Sequence, residues 1–279
     1  MVRLMNLPIY LFRRNNAFRE EFEACSAVAP NRCFYRDSVT LKQLSLASHI
    51  VFRYCAHPFY RETHNILSEA LPHAHMLNTW EDFENVTTMS YLRQIEGLTP
   101  QSYDGSMGYA KISDCPHGWV LRNTERSLKW KWNTHMRAPT RSDLPLIMSN
   151  LLDADMAVHP IIIREFVPLK TFEIGINGLP FENEWRCLFL RGKCIVSSYY
   201  WTVAENPPEN EIPEEALHVA QEVIKRIDSE CAGFYAVDVA EKEAGGWICI
   251  EVNMGEQSGI GMADPHVYYQ KLDDSLRDS

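Results

Sequence analysis

The apolar runs along the first hundred residues are short and separated by polar turns. Residues 9–12 and 48–54 (SHIVFRY) are apolar at nearly every position, the pattern of strands buried on both faces. Residues 58–70 instead set Phe59, Ile66, Leu67 and Ala70 on a helical stripe that Pro72 ends. A short strand at 76–78 and a helix over 80–96, stopped by Gly97, complete a small α/β unit. The polar stretch that follows, with Thr99-Pro100 and Gly108, marks a boundary. The pattern predicts an N-terminal α/β domain over 1–105 and a second domain over 106–279.

The second part is α+β in pattern. Residues 118–122 and the β-branched run 161–167 (IIIREFV), stopped by Pro168, predict strands. Between them, a basic and polar segment over 123–141 leads to a helix at 143–152, with Ser142 as cap and Pro145 in the first turn. Residues 184–190 and 194–201 flank Arg191-Gly192 and read as a hairpin. Ala216, Leu217, Ala220, Val223, Ile224 and Ile227 make 214–229 the clearest amphipathic helix. Strands at 234–239 and 247–252 around Gly245-Gly246 form a second hairpin.

Composition narrows the classes. The 279 residues are 46% apolar and carry a net charge of −10, so the chain buries a core and repels a phosphate backbone. Trp130 and Trp132 with Lys129 and Lys131 could stack bases, but the acidic balance makes nucleic acid an unfavoured partner. No run reaches the roughly 18 apolar residues of a spanning helix, which gives no membrane partner. Eight cysteines without a Cys-x-x-Cys pair read as reduced thiols of a cytoplasmic protein and disfavour a zinc ribbon. No G-x-S-x-G elbow is present.

The remaining chemistry is concentrated in the last hairpins and the basic strands. Glu251 and Asn253, two apart on a strand, share a face, and with Asp238 opposite they offer three hard oxygen donors of the kind magnesium takes. A hydrogen-bonded set of acids at a sheet end fits the same spacing. Arg122 ends one strand, Lys129 and Lys131 follow it, and Arg164 and Arg186 interrupt apolar strands. An arginine buried there needs an anion, whether a phosphate or an acid such as Glu184 or Glu173.

Taken together, these stretches resemble the ATP-grasp superfamily preceded by its small α/β domain. IIIREFVPL (161–169) resembles the hinge strand that holds adenine, EWRCLFLRGKCIVSS (184–198) the E-x-R hairpin, and FYAVDVA (234–240) with WICIEVNMG (247–255) the paired metal-binding strands. Two features depart from the pattern. Arg122 stands where the family has a lysine, and the loop 124–135 holds no glycine. In this the chain is loosely similar to the cell-division-cycle assembly-factor branch. The resemblance implies an α+β ATP-grasp fold and an ATP- and Mg²⁺-dependent carboxylate–amine ligase acting through an acylphosphate. Its substrates would be a small-molecule or peptide carboxylate and an amine. The alternatives are an ATP-binding assembly chaperone with a protein partner, or an RNA-acting ATPase. By the same resemblance, Asp238, Glu251 and Asn253 hold metal. Arg122, Lys129, Lys131, Arg164, Glu173 and Arg186, with the 165–167 segment (Glu165, Phe166, Val167), contact the nucleotide, and Arg186 and Lys129 act in the chemistry.

Overall fold

The computed structural model describes residues 7–54, 57–123, 128, 131–155, 161–175, 179–208, 211–230 and 232–277. Strands β1 (Leu7–Phe12), β2 (Cys33–Tyr35), β3 (Ala47–Arg53) and β4 (His75–Met76) form a parallel sheet in the order β2-β1-β3-β4. Helices α1 (Arg19–Val28), α2 (Leu41–Leu44), α3 (His57–Ala70) and α4 (Trp80–Thr87) connect and flank these strands. A second, antiparallel sheet follows, ordered β5-β8-β6-β7 and built from β5 (Ser102–Asp104), β6 (Trp119–Asn123), β7 (Arg137–Ala138) and β8 (Ile161–Glu165). Helix α5 (Leu144–Asp155) packs on it.

The hairpin β9 (Thr171–Ile174) and β10 (Pro180–Glu182) leads into a third sheet. Its strands, β11 (Glu184–Leu190), β12 (Lys193–Tyr199), β13 (Phe234–Glu241) and β14 (Trp247–Met254), are antiparallel in the order β12-β11-β13-β14. Helix α6 (Glu214–Ile227) joins β12 to β13, and α7 (Pro265–Arg277) closes the chain. None of the described helices is long and apolar enough to cross a membrane.

Local chemistry accounts for most of these elements. Arg191 and Gly192, both at positive φ (52° and 75°), make the tight β11–β12 turn that matches strand twist. Helix α6 buries Ala216, Ala220, Val223 and Ile224 and carries Glu214 and Glu215 in its first turn, Lys225 and Arg226 in its last, so its charges oppose its dipole.

The core follows contacts across sheets. Ile9, Leu11 and Phe52 of the first sheet pack in one apolar cluster with Trp185, Phe189 and Val237 of the third. Tyr10, Phe12 and Val51 share another with Leu188, Ala236 and the α7 residues Tyr268, Tyr269 and Leu272. The second sheet keeps a separate core, in which Trp119, Leu121 and Ile163 meet Leu144, Ile147 and Leu151 of α5.

Three sequence expectations change. The helix expected over 80–96 ends at Thr87, because the Thr87 and Thr88 hydroxyls donate back to the Phe83 and Glu84 carbonyls and Met89 turns left-handed at φ 58°. The helix expected at 143 begins at Leu144 behind a 3-10 turn, and its cap is a reciprocal Thr140–Asp143 pair, with Ser142 only bonded to the Thr140 hydroxyl. The strand expected over 161–167 stops at Glu165.

Candidate active site

The third sheet places four polar residues in one cross-strand row. Register pairs Ser198 with Arg186, Arg186 with Asp238, and Asp238 with Glu251. Directly opposed residues share a face, and Asn253, opposite Ala236, lies two positions along β14 on that same face. A bulge follows at once. Val239 pairs with Cys249, so Ile250 is an extra residue, and Cys249 and Glu251 turn to opposite faces although they are two apart.

Arg186 donates from Nε and Nη2 to the two Asp238 oxygens, both at 2.8 Å, and from Nη1 to the Gly259 carbonyl at 3.0 Å. It lies 4.8 Å from the Tyr200 ring centroid. Burial opposes its charge, but Asp238 and Tyr200 outweigh burial and hold the guanidinium above its ordinary pKa. The Asp238 side chain is 1% exposed, so this is a closed, bidentate pair.

The second sheet faces this row with two more arginines. Val120 pairs with Arg164 and Arg122 with Ile162, which sets both guanidinium groups on the face away from the α5 core. Arg122 donates through Nη2 to Glu251 Oε1. Arg164 donates through Nη1 to the carbonyl of the bulge residue Ile250 and through Nη2 to Thr99 Oγ1 at 2.7 Å. Its pKa is lowered by burial, partly restored by Tyr91, and lowered further by the Arg122 charge. The Nε–H groups of both arginines are buried and have no hydrogen-bond partner.

Between the sheets lies a cleft of about 900 Å³ including its open mouth, within the range of small-molecule sites. Val120, Phe166, Val167, Leu169 and Ile250 give it apolar walls, and Arg122, Arg164, Glu184 and Glu251 give it a charged floor. At the hinge, Glu165 donates its N–H to the Gln101 carbonyl and Phe166 donates to Gly118, both at 2.9 Å. Gly118 sits at φ +76° with an added Cβ only 2.3 Å from the Ala138 carbonyl, so no other residue fits where β6 begins. Among the described residues, the Val167 N–H has no acceptor.

The structure therefore brings together Arg122, Arg164, Arg186, Glu165, Phe166, Val167, Asp238, Glu251 and Asn253. It does not bring in Glu173. That side chain belongs to the β9–β10 hairpin and accepts the Glu205 and Asn206 N–H groups, each at 3.1 Å, which corrects its expected place beside the nucleotide. Lys131 is exposed before the turn Trp132–Met136 and is not among the cleft residues. Lys129 lies outside the described residues. Sequence reasoning missed Thr99, Tyr200 and Gly259. Nothing local marks Thr99 or Gly259, whereas the aromatic end of β12 was a readable signal for Tyr200.

Residues 147–272 match a family model described as an ATP-grasp domain, the third family of its clade. No curated protein matches the chain in sequence. The crystal structure of the D-cycloserine synthetase DcsG superposes with TM-score 0.61 at 12% identity, covering 96% of this chain and 99% of that one. The ATP-grasp ligase PsnB complexed with a minimal precursor gives 0.57 at 13%, covering 99% and 100%. N5-carboxyaminoimidazole synthase from Aspergillus clavatus, in complex with ADP and 5-aminoimidazole ribonucleotide, gives 0.62 at 9%, covering 98% and 77%. The chain has the ATP-grasp fold and belongs to the ATP-grasp superfamily.

Members of this superfamily use ATP and Mg²⁺, and the residues present fit both in kind. Two buried guanidinium N–H groups without acceptors suit phosphate oxygens. Two carboxylates and an amide on one sheet face suit a hard cation. Among the described residues, no three His, Cys, Asp or Glu side chains gather as a metal cluster, so Asn253 completes the set.

Proposed function

We propose that this chain is an ATP- and Mg²⁺-dependent ligase that joins a carboxylate to an amine. The observation that carries this reading is the underpaired arginine couple, Arg122 and Arg164, at the floor of a cleft whose rim is an open hinge strand. A buried cation without a full set of acceptors is costly unless an anion completes it.

In this reading the 165–167 segment supplies backbone groups to the adenine edge and Val120, Phe166 and Ile250 sandwich the ring. Arg122 and Arg164 hold phosphate oxygens. Mg²⁺, when bound, would be held by Asp238, Glu251 and Asn253 and supplies neutralisation of the phosphate charge. Arg186 lies between this cleft and a second cavity lined by Glu20, Tyr200, Trp201, Gly259 and Met262. A carboxylate substrate entering there meets the guanidinium edge that Asp238 keeps oriented. The terminal phosphoryl group passes to the carboxylate oxygen with release of ADP, and the amine then displaces phosphate to leave an amide. Arg186 stabilises the charge on the transferring group.

The test is turnover with Mg²⁺-ATP and pooled carboxylic acids, peptides and amines, followed as ADP and phosphate. Release that requires both an acid and an amine supports the ligase. Arg186→Met should lower it at least about 100-fold, roughly 3 kcal/mol of barrier. ATP binding without turnover under any pairing would instead favour the assembly-factor role.

A further inference from the structure

Glu251 is claimed twice. It is the more accessible of the two carboxylates on the row, 18% exposed against 1% for Asp238, and Arg122 already occupies its Oε1. Arg122 in turn holds the carboxylate by one arm only, with its Nε–H buried and without an acceptor. The neighbouring pair is different in kind. Arg186 covers both Asp238 oxygens through Nε and Nη2 and is tied to Gly259 by its third nitrogen, so it has nothing to gain from a new partner.

We propose that Arg122 is an exchanging counter-ion: it sits on Glu251 in the nucleotide-free protein, a polyphosphate draws it off, and only then does Glu251 accept a divalent cation. The inference rests on the nucleotide reading above and adds to it an order of binding. The exchange leaves no charge alone at either end. The phosphate brings more negative charge than one carboxylate and gives the orphaned Nε–H an acceptor, while Glu251 trades one cation for another. Arg164 reinforces the direction, since its charge lies close enough to Arg122 to disfavour both guanidinium groups sharing one carboxylate. A cation that approaches before nucleotide meets a neutralised Glu251 flanked by two positive charges. Metal and nucleotide are then coupled through this side chain as well as through their own contact.

The probe is Mn²⁺ without nucleotide, followed by the resonance signal of the free ion. ATP binding in EDTA is measured in parallel by calorimetry. Wild type should bind Mn²⁺ weakly, Arg122→Gln about tenfold more tightly, and the double variant Arg122→Gln with Glu251→Gln no better than wild type. Arg122→Gln should also weaken ATP in EDTA by about tenfold or more. Arg122→Lys keeps a cation for the fold but loses the planar fork, and should raise Mn²⁺ affinity in the same direction by less. It serves as the variant should Arg122→Gln not fold. Mn²⁺ affinity unchanged or lower in the Arg122 variants, with ATP still bound by wild type, overturns the exchange and leaves the nucleotide reading standing. No ATP binding by wild type, with or without metal, overturns both.

Discussion

Two regions of this molecule bury arginine, and they treat it in opposite ways. At the joint between the first sheet and α7, Arg53 is fully buried and its donors are all engaged. Nε meets the Tyr269 hydroxyl at 3.1 Å, Nη1 the Gly255 carbonyl at 2.6 Å, and Nη2 both Glu21 and the Ser258 carbonyl at 2.9 Å. Arg32 clasps Asp273 at 2.6 and 2.8 Å, and Tyr10 donates to the same carboxylate. In the cleft, Arg122 and Arg164 are buried almost as deeply, yet each leaves its Nε–H without a partner. Equal burial with unequal saturation separates the two roles. The saturated set fixes the segment after β14 to the N-terminal sheet, and the unsaturated set is built for a ligand that completes it.

The sharpest way to break this distinction is to remove one arginine from each region. Arg53→Met strands Glu21 and two buried carbonyls together, and should lower unfolding free energy by about 3–5 kcal/mol. Urea denaturation measures it, and a wild-type midpoint for this variant would end the claim that the joint is held by saturation. Arg164→Met should cost far less, within about 1 kcal/mol, because the lost contacts to Ile250 and Thr99 are offset by relief of an underpaired buried charge. Its effect falls on ligand binding. Wild type with Mg²⁺-ATP at 100 times its dissociation constant gains about 2.7 kcal/mol, and Arg164→Met at the same concentration should gain almost none.

The contrast was only partly legible in the sequence, and the reason is range. The β11–β12 hairpin, α6 and the last two strands stand out because their signals are local: a positive-φ turn, a 3.6-residue stripe, and apolar runs around paired glycines. The shared face of Glu251 and Asn253 follows from spacing alone. What spacing does not carry is partnership. Arg186 was open between a phosphate and an acid such as Glu184 or Glu173, and the acid it takes is Asp238, far along the chain and directly opposite in register. The Arg122–Glu251 pair spans 129 positions. The bulge at Ile250, which turns a carbonyl toward Arg164, has no local marker either. Helix α1 escaped notice because REEFEACSAV buries only Ala24 and Cys25, and a stripe that narrow is weak against its charged neighbours.

The smallest expected effect concerns a third way of pairing arginine, with a neutral partner. His49 of β3 is buried, and its Nε2 lies 2.9 Å from Arg191 Nη2 at the tip of the β11–β12 hairpin. A charged imidazole could not accept that bond, so Arg191 holds the ring neutral. Burial, then the charges of Arg191 and His75, bring its pKa down from 6.5 to about 4. The sign follows from which state binds the proton. Between pH 6.5 and 4 the unfolded chain protonates this histidine and the folded protein does not. Stability therefore falls as pH is lowered across that window, is constant below it, and is fully restored above it. The size is on the order of 1–3 kcal/mol. Carboxylates with lowered values, such as Glu21, act only nearer their ordinary range, so comparison at pH 7 and pH 5 favours the histidine. His64, also lowered by burial, contributes in the same direction and is removed by comparing variants. His49→Gln keeps an acceptor for Arg191 without a titrating group, and its unfolding free energy should change less than wild type's between the two pH values. An undiminished slope in His49→Gln would mean that Arg191 does not hold the ring neutral, and that the hairpin tip is joined to the N-terminal sheet by packing alone.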